Sequence, residues 1–220
     1  IFRKDYMGIK NFLQTHSYLN LDYIYGTLSN SDGESPLDFD AIQRSDKILK
    51  VVCTDAETGY PVYFGNEDVH KDDYAIIKAS SCVPVIDEPY PVYERFYYDG
   101  GISDPIPFRK ALEDGCDKVV IILTRPKDFY RDPKKDMALS RLIERKYPNA
   151  AVQLASRAVT YNISLDQAKE YEKKGKVLIV APDDIGDMDT LTKDKEAIDK
   201  LYEKGYLDAI QLYDFLGISK

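Results

Sequence analysis

Two short runs of nearly pure aliphatic sequence, Lys118-Val-Val-Ile-Ile-Leu-Thr124 and Lys176-Val-Leu-Ile-Val180, constrain this chain more than any other feature. Runs this short and β-branched read as strands, and the first, apolar throughout, as a central strand covered on both faces, as in parallel sheets. The sequence between them is helical in pattern: Asp136 to Lys146, Asn149 to Tyr161, and a third segment opened by the capping-box spacing Ser164-Leu-Asp-Gln167 and closed at Gly175. Strand, helices, strand is the order of an α/β fold with parallel strands. After Pro182 the pattern predicts two more helices, Thr192 to Lys204 and Leu207 to Leu216. The chain is therefore divided into an α/β portion, 1–182, and a helical, acidic extension, 183–220.

The first 45 residues read as short helices and polar loops. Lys47-Ile-Leu-Lys-Val-Val-Cys-Thr54 and Tyr60-Pro-Val-Tyr-Phe-Gly65 are two strands joined by the turn Asp55-Ala-Glu-Thr-Gly59, a hairpin. Asp72 to Ala79 looks helical. Val92 to Tyr98 reads as one strand running into Asp99-Gly100-Gly101. Asp104-Pro105 is an N-cap and first-turn pair for a helix that Gly115 ends.

Composition removes several function classes. There are 30 Lys and Arg against 38 Asp and Glu, a net charge of -8. Nucleic acid is therefore not an expected partner, since phosphate-backbone affinity rests on many cationic contacts. No apolar run approaches the roughly 18 residues of a membrane span. Cys53, Cys82 and Cys116 are odd in number, widely spaced and free of any CxxC, and only His16 and His70 are present. Neither a disulfide framework nor a zinc centre is expected, and three reduced thiols fit a cytoplasmic protein.

Chemistry is expected at the strand end Phe96-Tyr-Tyr-Asp99-Gly-Gly-Ile-Ser-Asp-Pro-Ile-Pro107. A carboxylate at a strand end, with two glycines to turn the backbone behind it, is placed to act as a general base. Asp-Gly is equally a favoured turn pair, so the dipeptide alone decides nothing. The longer string resembles bacterial patatin-like phospholipases. So do Thr54-Asp-Ala-Glu-Thr-Gly-Tyr-Pro-Val-Tyr-Phe64 ahead of it, Ala79-Ser-Ser-Cys-Val-Pro84, and the tail with Leu178-Ile-Val-Ala-Pro182, which is similar to a subgroup with a helical C-terminal extension.

That resemblance implies a three-layer α/β sandwich with a mostly parallel sheet. It implies a serine acyl hydrolase acting on lipid or other carboxylic esters through a Ser–Asp dyad, without metal or organic cofactor. Asp99 would be the base, with Gly100, Gly101 and Asp104 shaping its motif. The sequence departs from the family in lacking a Gly-x-Ser-x-Gly elbow. Gly33-Glu-Ser35, Gly101-Ile-Ser103 and Gly217-Ile-Ser219 are half-matches without the second glycine. A glycine-rich oxyanion loop is absent as well. In the family both lie upstream, so the expectation is an N-terminally truncated chain. Two missing strand–helix units would amount to roughly 60 residues, at about 30 each. Such a chain carries the base but not the nucleophile and is inactive alone. Bared strand edges would favour homo-oligomers, or complementation by the missing segment. The competing reading is a non-catalytic module that binds lipid or a protein partner.

Other residues carry weaker signals. Asp55 ends a strand and is a possible site-lining acid or an ordinary turn residue. Ser81, beside Ser80, is a possible site-lining hydroxyl, with backbone hydrogen bonding as the plainer role. Ser103 reads as a turn or cap residue. Arg125, Lys127 and Arg131 suit either a lipid phosphate or solvent. Tyr90, Tyr93, Tyr97 and Tyr98 suit peripheral membrane contact or half-buried strand positions.

Overall fold

The computed structural model describes residues 5–15, 17–189 and 192–218. The chain forms two compact units. The first runs through Pro105 and includes Asp132–Thr160; the second comprises Ile106–Arg131 and the chain from Tyr161 onward. Pro182 lies inside the second unit. In chain order the helices are α1 (Ile9–Thr15), α2 (Phe39–Arg44), α3 (Ala75–Ala79), α4 (Phe108–Glu113), α5 (Pro133–Ile143), α6 (Pro148–Lys173), α7 (Lys195–Asp208) and α8 (Gln211–Leu216).

The first unit is built on an antiparallel sheet. β1 (Val51–Asp55) and β2 (Pro61–Phe64) form the expected hairpin, with Val51 opposite Phe64 and Thr54 opposite Pro61. The single strand expected over Val92 to Tyr98 is two strands, β3 (Tyr90–Val92) and β4 (Arg95–Asp99), joined at Tyr93-Glu94. Tyr93 has φ of 54°, a conformation that hairpin turns usually assign to Gly or Asn, so composition does not announce the turn. Its hydroxyl donates to Asp68 Oδ1 at 2.6 Å. β4 pairs with β1, giving the order β2-β1-β4-β3.

This corrects the expectation of a mostly parallel sheet. Among the described residues four of six strands are antiparallel, because the short hairpin connections of β1 to β2 and of β3 to β4 join only antiparallel neighbours. Alternation along β1 and β4 divides the core. Cys53 and Tyr97 pack with Phe64, Val69, Tyr74 and Ile76 on the α3 side. Tyr98 packs with Ile102, Ile143 and Leu154 on the side of α5 and α6. The fold is thus mixed α/β, with helices on both faces of this sheet. Asp136 on α5 accepts both Nε (3.1 Å) and a terminal nitrogen of Arg157 on α6.

The second unit holds β5 (Val119–Ile122) and β6 (Val177–Val180), the parallel pair expected from their aliphatic runs. β5 is not covered on both faces: Ile122 is 76% exposed. α6 is one helix of 26 residues where two were expected. Ser164 is buried in its middle and starts nothing. Ala150, Leu154, Ala158, Tyr161, Leu165 and Ala168 follow one another at three- or four-residue spacing and form one buried stripe, which carries the helix past Ser164. Gly115 (φ 99°) and Gly175 (φ 68°) end α4 and α6 as predicted.

Candidate functional site

Asp99 is the last residue of β4 and caps a single 3-10 turn, Gly100–Ile102. Its Oδ1 accepts the Gly101 amide at 2.7 Å. Its own amide donates to the Cys82 carbonyl at 2.8 Å, and its carbonyl accepts the Thr54 hydroxyl at 2.9 Å. The two glycines have different reasons. A Cβ on Gly100 would lie 2.2 Å from the Val52 carbonyl oxygen, so β1 leaves no room for a side chain. A Cβ on Gly101 would lie 3.1 Å from Asp99 Oδ1, a tight but yielding contact. The turn therefore brings an amide to the carboxylate only because position 100 is bare.

Asp104 closes this turn. Its amide donates to the Gly100 carbonyl at 2.9 Å, and its carboxylate accepts the Tyr63 hydroxyl from β2. The N-cap expectation for Asp104 is corrected: α4 begins at Phe108, behind Pro107. Pro105 and Pro107 disfavour helical geometry in the residues before them, which delays the start. Ser103 Oγ lies 2.8 Å from Thr54 Oγ1, a tie the linear sequence does not reveal. Only the β1–β4 register, with Thr54 opposite Tyr98, brings the two hydroxyls together.

The structure does not bring Asp55 to Asp99. Asp55 pairs with Tyr97, two steps along the ladder from the Cys53–Asp99 pair, roughly 7 Å at strand rise. It is 2% exposed. Oδ1 accepts the amides of Glu57 (2.9 Å) and Thr58 (2.8 Å), and Oδ2 accepts Arg95 at 2.8 Å. Burial pushes its acid upward, but these donors outweigh burial and hold it below the ordinary range. Ser81 donates to the Ile77 carbonyl at 2.9 Å and Ser80 to the Val52 carbonyl at 2.8 Å, both ordinary backbone ties.

The Asp99 carboxylate is felt by two thiols. Burial, then the Asp99 charge, pushes Cys53 up to about 12. Cys82 rises further, through burial first and then Asp87 and Asp99. Both remain neutral, consistent with inert core thiols. Among the described residues no group of three His, Cys, Asp or Glu is arranged to hold a metal ion. No helix of the described residues is long and apolar enough to cross a membrane. Arg125 bonds the Met188 carbonyl at 3.1 Å, Lys127 pairs with Glu172 at 2.8 Å, and Arg131 stacks over Tyr161 at 5.0 Å. The chain itself thus engages all three cations. Of the clustered tyrosines, Tyr97 and Tyr98 are buried and Tyr93 is exposed. Ser219 and His16 lie outside the described residues.

A mixed α/β protein with acids at two strand ends, the Asp99 turn tied across the sheet by hydroxyls, is the class these observations define. Residues 147–216 match a family described as a domain of unknown function, DUF6363. The chain is 26% identical over 136 residues to the Uncharacterized protein YjjU of Escherichia coli (strain K12), covering 60% of this chain and 37% of that protein. It therefore spans well under half the length of that relative.

Proposed function

We propose that Asp99 is the general base of an ester-hydrolysing site, and that this chain is part of a patatin-like acyl hydrolase acting on carboxylic esters of lipids. The observation that carries the reading is the Asp99 turn. Its carboxylate sits at a strand end, held by the Gly101 amide, on a backbone that admits no side chain at Gly100. Asp55 accepts the Glu57 and Thr58 amides of the hairpin turn and the Arg95 guanidinium.

In this proposal a serine hydroxyl gives its proton to the Asp99 carboxylate as its oxygen attacks the ester carbon. Backbone amides hold the oxyanion, the alkoxide leaves as alcohol with the proton from Asp99, and water, giving a proton to Asp99, then attacks the acyl-serine to release the acid while that proton returns to serine. The nucleophile is assigned to sequence outside these 220 residues, since no Gly-x-Ser-x-Gly occurs within them.

The test is labelling by a fluorophosphonate serine probe, read by intact mass, on this chain and on the natural full-length product. One adduct on the full-length protein alone is expected. Stoichiometric labelling of this chain would overturn the assignment of the nucleophile. No labelling of either, with no ester hydrolysis, would leave the non-catalytic binding module as the reading.

A further inference from the structure

We propose that Thr54 and Ser103 are positioning residues for Asp99, a hydroxyl relay that sets the base from across the sheet. The inference rests on the reading of Asp99 as base. Thr54 is fully buried on β1. Its Oγ1 is 2.9 Å from the Asp99 carbonyl oxygen and 2.8 Å from Ser103 Oγ. A threonine hydroxyl carries one proton, and a carbonyl only accepts. Thr54 therefore donates to Asp99, and Ser103 must donate to Thr54. Proton stoichiometry fixes the direction of the relay.

The relay holds the peptide that follows Asp99, and that peptide leads into the turn whose Gly101 amide meets the carboxylate. The Asp99 amide is held separately by the Cys82 carbonyl. Without Thr54, the carbonyl end loses its tie and the turn is free to rotate away from Oδ1. Displacement of a catalytic group by about 1 Å costs on the order of 10²-fold in rate. Loss of the Gly101 bond also removes a donor that favours the ionised carboxylate, so the base pKa rises. Among the described residues, Cys53 on β1 and Cys82 after α3 feel the Asp99 charge, and Asp104 lies on the same turn. The two thiols are pushed well above neutral, so they do not contribute to an acid limb.

The experiment compares Thr54→Val, Thr54→Ser, Ser103→Ala and Asp99→Asn in the natural full-length protein, with a short-chain p-nitrophenyl ester as probe. Thr54→Val is expected to lower kcat about 10²-fold with KM unchanged and to move the acid limb of the pH profile upward. Thr54→Ser is expected to restore both, and Ser103→Ala to lie between. If Asp99→Asn abolishes turnover while Thr54→Val matches wild type, the relay is overturned and the base stands. If Asp99→Asn stays active, the base reading itself fails.

A second measurement is independent of turnover: exchange of the Gly101 amide, read by NMR. At least tenfold faster exchange is expected in Thr54→Val, with Thr54→Ser unchanged and the β1–β2 ladder amides still protected. Unchanged Gly101 protection in Thr54→Val would overturn the relay whether or not the protein hydrolyses esters. Equal loss across the ladder would overturn it too, by reducing Thr54 to general stability.

Discussion

Asp55 and Asp99 both end a strand, and both lead into a turn of small residues and glycine. Their surroundings make them different groups. Asp55 takes two amides of its own hairpin and Arg95 from β4, so its charge is spent on closing the β1–β2 turn. Asp99 Oδ1 takes the Gly101 amide of its own turn, and its backbone carbonyl takes the Thr54 hydroxyl from across the sheet. A strand-end acid becomes a structural group when several donors converge on its oxygens.

The largest expected effect separates the pair directly. In the natural full-length protein, Asp99→Asn should lower ester turnover by roughly 10³-fold or more, while Asp55→Asn should leave kcat within a few fold. Equal losses would erase the distinction. Next comes folding. Gly100→Ala forces a Cβ into the Val52 carbonyl and should cost about 3 kcal/mol by denaturant unfolding, whereas Gly101→Ala should cost about 1 kcal/mol. Asp55→Ala strands two amides and Arg95, with an expected loss of about 2 kcal/mol. Arg95→Met should cost less than Asp55→Ala, because the Arg95 side chain is 57% exposed and the two turn amides keep their acceptor.

The smallest and slowest-varying effect is that of pH. Asp55, held below its ordinary value, contributes stability that is present above about pH 4 and lost as pH falls further. Asp87 works in the opposite sense. It is buried, its Oδ1 accepts the Leu19 amide at 3.1 Å, and its Oδ2 meets no partner among the described residues. Burial raises it to about 6, against the pull of the Leu19, Val83 and Tyr18 amides. A raised carboxyl favours the folded state fully below its unfolded value near 3.8, and this advantage is lost as pH rises through about 6. Thermal melts between pH 4 and 7 should therefore show a decline that Asp87→Asn removes. A persisting decline in that variant would assign the titration to another group.

Part of this was legible in the chain. The β1–β2 hairpin follows from two apolar runs around Asp55-Ala-Glu-Thr-Gly59, and the stops at Gly115 and Gly175 follow from glycine's access to positive φ. The parallel pairing of β5 with β6 follows from two aliphatic runs linked by helix. The turn at Tyr93 was not legible, because a tyrosine there takes a glycine-like conformation and its Asp68 tie lies 25 residues away. Nor was the length of α6, since local capping spacing at Ser164 competes with a buried stripe that only tertiary packing rewards.

By itself the sequence determined where strands and helices can start and stop, and that an acid flanked by glycines ends β4, because these depend on residues adjacent along the chain. Tertiary structure alone decided which distant groups each of these two acids meets. Arg95 reaches Asp55 from 40 residues away, Thr54 reaches Asp99 from 45, and Ser103 reaches Thr54 from 49. Contacts at that separation exist only once β1 and β4 have paired in register, so no local pattern carries them.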